Sequence, residues 1–83
     1  MNRITLYSKP ECPLCEKAER LLRKLQRELT YEIEVVDITK EAALFECYCF
    51  DIPVILLDGV ERFCGRISAE ELRATFRGLH RAR

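Results

Sequence analysis

Apolar and polar side chains alternate through Arg3, Ile4, Thr5, Leu6 and Tyr7, a short β-rich run of period two that Ser8 and Pro10 close. A different period follows. Leu14, Ala18, Leu21, Leu22, Leu25 and Leu29 step by threes and fours, while Glu16, Lys17, Glu19, Arg20, Arg23 and Lys24 fill the positions between. That spacing gathers the apolar side chains on one face and predicts an amphipathic helix to about Leu29. Pro13 suits its first turn, where the missing N–H costs nothing. Residues 31–38 return to a strand pattern, with Ile33, Val35, Val36 and Ile38 supplying β-branched bulk. A second helix is expected from Thr39 through Ala42, Ala43, Leu44 and Phe45 to Cys47 or Tyr48. It is apolar nearly all round, so it is either deeply packed or left with surface for a partner.

Residues 52–57 form a continuous apolar run, as in a central strand covered on both faces, and Pro53 can only stand at its start. Asp58-Gly59 is a two-residue hairpin signal, returning the chain through residues 60–63. Ser68-Ala69-Glu70-Glu71 reads as a capping box, opening a last helix through Leu72 and Phe76 that is expected to stop near Gly78. The order β-α-β-α-β-β-α sets three helices against a four-stranded mixed sheet, an α/β architecture.

Length makes this one domain: 83 residues leave no room for a second. A hydrophobic share of 48% beside 34% charged residues is that of an ordinary globular chain, which excludes disorder as the main reading. The 14 basic and 14 acidic side chains cancel, so no electrostatic footprint of a nucleic-acid binder is present. Arg73, Arg77, Arg81 and Arg83 concentrate positive charge near the end; a solvated helix face explains them, with a patch for an acidic partner as the alternative. The short apolar stretch after Arg3 does not read as a secretory signal, and no apolar run approaches the roughly 20 residues that span a bilayer. A cytoplasmic monomer without a membrane partner is the expectation.

Five cysteines cannot all pair within one chain. In a reducing compartment a close pair is catalytic or metal-binding more often than structural. Cys12-Pro13-Leu14-Cys15 falls where a strand ends and an amphipathic helix begins. Cys12 would meet the unpaired N–H groups and positive end of that helix, which stabilise a thiolate. Lys9 adds to this effect, whereas Glu11 and Glu16 oppose it, so a moderate depression of the thiol pKa is expected. Cys15, nearly one turn along, is near enough for a small disulfide and better shielded, which suits a resolving thiol. Two other readings stand beside exchange. One is a metal or cluster module, for which Cys47, Cys49, Cys64 and His80 are the remaining ligand candidates. The other is a non-catalytic interaction domain using Leu44, Phe45 and Tyr48. Cys47, Cys49 and Cys64 read as small, mostly buried side chains. His80 reads as solvated, and Tyr7 and Tyr48 as core or cleft-edge aromatics.

The segment from Leu6 to Cys15, a strand, a lysine and then C-P-x-C, closely resembles the opening of the glutaredoxins. Ile52-Pro53-Val54, Asp58-Gly59 and the capped last helix resemble the rest of that family, nearest its small C-x-L-C members. The resemblance implies a thioredoxin fold and a thiol–disulfide oxidoreductase, with Cys12 as nucleophile and Cys15 as resolving thiol. It also implies a cis peptide before Pro53 that exposes the backbone of Ile52 to an extended substrate. Pro13 and Leu14 would border the same site, and Lys9 matches a lysine that helps bind a glutathione carboxylate. No permanently bound cofactor is implied. The partners implied are a disulfide-containing protein or a small thiol, with glutathione as electron donor. Two departures bring in a donor of the thioredoxin-reductase type: Asp51 adds negative charge beside Ile52-Pro53, and Cys64-Gly65 has a single glycine where the family has two. Cys49 stands where relatives end a helix with glycine, so an atypical turn is expected there.

Overall fold

The computed structural model describes the backbone of residues 1–81 and the side chains of residues 1–78. The expectations for the His80 and Arg81 side chains and for Arg83 lie outside the described residues. The elements run β1 (Asn2–Ser8), α1 (Pro13–Leu29), β2 (Tyr31–Asp37), α2 (Ala42–Tyr48), β3 (Val54–Leu57), β4 (Val60–Cys64) and α3 (Ala69–Arg81). They make the four-stranded mixed sheet expected, in the order β2-β1-β3-β4. β1 lies parallel to β2 and antiparallel to β3, and β3 is antiparallel to β4.

Alternation along the central strands decides what each face carries. Ile4 and Leu6 of β1 and Ile55 and Leu57 of β3 point to one side, where they are buried with Ala18, Leu22 and Leu25 of α1 and Leu72 and Phe76 of α3. The three-four spacing read from the sequence is therefore the packing stripe of α1. Tyr31 closes this core at the start of β2; its hydroxyl donates to the Leu22 carbonyl, and its ring lies 5.5 Å from that of Phe76. Burial first, and then the charge of Glu28, push the Tyr31 phenol up to about 12. Arg73 of α3 reaches Glu28 of α1 with two N–H donors, at 2.6 and 2.9 Å. Hydrogen bonding from Arg73 is the main reason the Glu28 carboxyl is held below its ordinary range. Arg73 thus ties α1 to α3 from a face that stays partly solvated, its side chain 39% exposed.

The opposite face is thinly covered. Tyr7 points there, 5.0 Å from the ring of Tyr48, which places α2 on that side as a cleft-edge cover. The second helix is shorter than its pattern predicts. Asp37 accepts from the backbone N–H and the hydroxyl of Thr39, turning residues Ile38–Lys40 into a single 3₁₀ turn, and Glu41 is extended before α2 begins. Ile38 is fully buried in that turn rather than ending the strand. No residue of α2 is fully buried, so the deep-packing alternative fails: Leu44 and Tyr48 are half-buried and Phe45 is exposed. Cys49 ends it in the right-handed region, at φ −58°, which needs no glycine.

The hairpin forms as read. Asp58 and Gly59 both have positive φ, 51° and 84°, the conformation of the tight turn that matches strand twist. The Asp58 carboxylate accepts from the Arg3 backbone N–H at 2.8 Å and the Asn2 amide, tying the turn to β1 and lowering its pKa. Ser68 and Glu71 make the reciprocal capping pair, with bonds of 3.1 and 3.2 Å. α3 does not stop at Gly78, which has an ordinary helical place in a helix that runs on to Arg81. Among the described residues no helix is long and apolar enough to cross a membrane.

Candidate active site

The site grows from the C-terminal end of β1. Tyr7 pairs with Val54, so the loop that follows β1 and the residues that precede β3 emerge at the same end of the sheet. That register brings residues 9–15 and 51–53 to one end of the molecule although Cys12 and Ile52 are 40 positions apart in sequence. The 9–15 loop turns through Glu11, a non-glycine residue with φ 58°. This region disfavours a Cβ, and the conformation delivers the chain into the start of α1.

Cys12 is the N-cap of α1, with extended backbone at φ −118° and ψ 100°. Its carbonyl accepts from the Glu16 N–H at 3.0 Å, the first bond of the helix. Its sulfur accepts from the Cys15 backbone N–H at 3.3 Å. A cap normally offers a side-chain oxygen to this donor; here a sulfur takes that role. The pair is joined as a disulfide with Cα atoms 5.2 Å apart, inside the range that needs no backbone movement. The two sulfurs are unequal in access. Cys12 is half-buried, while Cys15 is 2% exposed, inside the α1 packing stripe.

Pro13 and Leu14 are exposed beside the pair, and Lys9 is exposed in the loop before it. Ile52–Pro53 is a cis peptide bond, as the resemblance implies. Pro53 is buried and Ile52 half-buried. The Ile52 N–H donates to the Tyr48 carbonyl at 3.2 Å, and the Pro53 carbonyl accepts from the Gly65 N–H at 2.8 Å. Gly65 can turn to make that bond because it lies at φ 82°, a region in which other residues are strained. In the sequence this glycine stands out only as one of a missing pair; its link to Pro53 is a long-range contact with no local signal.

The remaining thiols are a correction. Cys47 and Cys64 are exposed and Cys49 is half-buried, so none is a core side chain. The reason is topological. α2 is short and none of its residues is fully buried, and β4 is an edge strand with no neighbour on its far side. The Cys64 Sγ donates to the Asp51 carbonyl at 3.2 Å. Desolvation, followed by the charges of Asp51 and Glu61, pushes its thiol pKa up. Among the described residues no three His, Cys, Asp or Glu side chains converge as a metal-holding group.

Known proteins match this arrangement along most of the chain. The family model of the Glutaredoxin-like domain (DUF836) matches residues 3–77. The chain belongs to that glutaredoxin-like family. A protein of Methanothermobacter thermautotrophicus described as a probable thioredoxin is 32% identical over an alignment of 73 residues that covers 83% of this chain and 85% of that protein. Among solved structures, target protein XcR50 from X. campestris superposes with a TM-score of 0.75 at 29% identity, covering 90% of this glutaredoxin-like chain and 96% of the other. A mutant thioredoxin from Halobacterium salinarum, at 17% identity and a TM-score of 0.71, covers 93% of this chain and 73% of its own, and shows the shared thioredoxin fold.

Proposed function

We propose that this glutaredoxin-like protein is a thiol–disulfide oxidoreductase that reduces disulfides through Cys12, with Cys15 as the resolving thiol. The observation that carries the reading is the capping contact: the Cys15 N–H points at the Cys12 sulfur from the positive end of α1. In the reduced protein that donor and the helix terminus favour the thiolate over the thiol. The Cys12 thiolate attacks one sulfur of a substrate disulfide, forming a mixed disulfide and expelling the other sulfur as a thiolate, which takes up a proton. Cys15 then loses its proton and attacks the Cys12 sulfur, releasing the second substrate thiol and closing the internal disulfide. Two electrons and two protons pass to the substrate. Burial of Cys15 keeps it from competing for the first attack and leaves it three residues from the bond it must break.

Pro13, Leu14, Ile52 and Pro53 would border the substrate. Because the Ile52 N–H is held by Tyr48, pairing with an extended substrate would run through the Ile52 carbonyl. Return to the dithiol needs a thiol donor, either glutathione, with Lys9 taking a carboxylate, or a dithiol protein of the thioredoxin-reductase type. Phe50, 96% exposed one position before Asp51, supports a protein donor, since an exposed aromatic beside the site is a contact a tripeptide would not use. A reducing compartment such as the cytoplasm would maintain the cycle. An anaerobic redox titration tests the reading, with free thiols trapped by alkylation and Cys12 and Cys15 followed by mass spectrometry. A reversible two-electron transition between about −270 and −180 mV is expected. A pair that never opens and closes within that window would sink exchange.

A further inference from the structure

Residues 51–53 belong to no helix or strand, so their backbone groups must find partners one by one. The Asp51 and Ile52 N–H groups both donate to the Tyr48 carbonyl at the end of α2, at 2.8 and 3.2 Å. Pro53 has no N–H, and its carbonyl accepts from Gly65. The Asp51 carbonyl is held by a side chain, the Cys64 thiol at 3.2 Å. Among the described residues, only the Ile52 carbonyl of this segment has no hydrogen-bond partner. Strand register explains why a thiol stands there. Cys64 pairs with Val54, while its neighbour Phe63 pairs with Ile55 and packs on the core between the sheet, α1 and α3. Alternation turns Cys64 to the other face, the one α2 covers. The ladder reaches this register by a shift between Ile55 and Leu56 that skips Arg62. Counted from Leu57 and Val60 without the skip, Phe63 would fall opposite Val54 and Cys64 would turn to the core face.

We propose that Cys64 is a positioning residue of the exchange reaction: its S–H holds the Asp51 carbonyl and, with Gly65, sets the backbone that offers the Ile52 carbonyl to an extended substrate. That role rests on the exchange reading and adds a residue to it. The thiol acts as a donor and takes no part in the attack. Its surroundings suit the task, since the desolvation and nearby carboxylates that raise its pKa keep the hydrogen on sulfur at neutral pH. Cys64 and Gly65, adjacent in sequence, grip the carbonyls on either side of Ile52. A shift at Asp51 is therefore passed to the one acceptor left free. A thiol is a weak donor, so the effect of losing it is modest and falls on substrates that use the Ile52 backbone.

The test compares two mixed disulfides of 5-thio-2-nitrobenzoate, one with the cysteine of a short extended peptide and one with 2-mercaptoethanol. The peptide has a backbone to pair with Ile52; the small alcohol has none. Attack by Cys12 on the partner's sulfur forms a mixed disulfide with it and expels the chromophore. The rate counted in each background is the part that Cys12→Ser removes. The ratio of peptide rate to alcohol rate is expected to fall about threefold in Cys64→Ala, as for one neutral hydrogen bond from a weak donor. Cys64→Ser keeps an O–H donor and should hold the ratio at the wild-type value. Because each ratio is taken within one protein, a general loss of stability does not mimic the result. Backbone amide hydrogen exchange gives a readout apart from catalysis: the Asp51 and Ile52 amides should exchange faster in Cys64→Ala than in the wild type or Cys64→Ser. A ratio unmoved by Cys64→Ala, or lowered equally by both substitutions, overturns the positioning role, as does amide exchange unchanged in Cys64→Ala. If the wild type releases no more chromophore than Cys12→Ser from either disulfide, exchange itself falls, and this inference falls with it.

Discussion

Two sulfurs in this protein sit near the same end of the sheet in opposite electrostatic settings. Cys12 caps a 17-residue helix, and the group facing its sulfur is a backbone N–H. Cys64 ends an edge strand, and the group facing its sulfur is the Asp51 carbonyl, with the carboxylates of Asp51 and Glu61 adding negative charge. Cys64 is the more exposed of the two. Access alone would therefore rank Cys64 ahead of Cys12, the reverse of the order the proposed exchange requires. A donor aimed at sulfur stabilises the thiolate; an acceptor aimed at it stabilises the thiol. In the proposed exchange the two thiols are told apart by their surroundings: a backbone N–H and a helix terminus at Cys12, against desolvation and the charges of Asp51 and Glu61 at Cys64.

The largest effect expected from this contrast is on turnover. Cys12→Ser should lower disulfide reduction by at least about a thousandfold, because no other thiol combines an N–H donor with a helix terminus. Cys15→Ser should instead accumulate a mixed disulfide on Cys12, visible as a mass increase by intact-protein mass spectrometry. Equal, small losses in both variants would erase the distinction between attacking and resolving thiol. Next in size is alkylation of the reduced protein with iodoacetamide at pH 7, followed by peptide mapping. Cys12 should react about tenfold or more faster than Cys64 despite its lower exposure. The reverse order would show that access governs after all.

A smaller change sharpens the Cys64 side. Glu61→Gln removes one of the charges that raise its pKa, so its alkylation should quicken by about two- to threefold with turnover unaltered. The smallest effect concerns the scaffold below both sulfurs. The folded Tyr31 phenol is raised to about 12, above its unfolded value of about 10. Its contribution to stability is thus complete below about pH 10 and is lost as pH rises through about 12. Tyrosinate absorbance and circular dichroism followed together should show Tyr31 ionising with unfolding, whereas Tyr31→Phe should move the alkaline transition.

Much of this contrast was legible before any fold was known. The spacing of Leu14, Ala18, Leu22 and Leu25, with Pro13 in the first turn, determines α1 and therefore puts Cys12 at its N-terminus, because helical period and proline geometry are local properties. Asp58-Gly59 and the Ser68–Glu71 cap are equally local and form as read. The second helix starts later than its apolar pattern predicts because Asp37 captures Thr39 and ends the first turn early, a competition between side chain and backbone that apolar pattern does not register.

The amino-acid sequence by itself determined the order of the elements, the CxxC pair and the side of α1 that packs inward, though not where the second and last helices begin and end. Only the tertiary structure decided that Cys47 and Cys64 lie on the surface, that Arg73 is engaged by Glu28, and that Gly65 holds the Pro53 carbonyl. It also decided that Lys17 and Arg66, 49 positions apart, share one groove with Leu14, the residue inside the cysteine pair. The physical reason is range. Periodicity, capping and turn chemistry act over a few residues, whereas burial of a thiol or pairing of a charge depends on which strand falls at the sheet edge and which loops the register brings together.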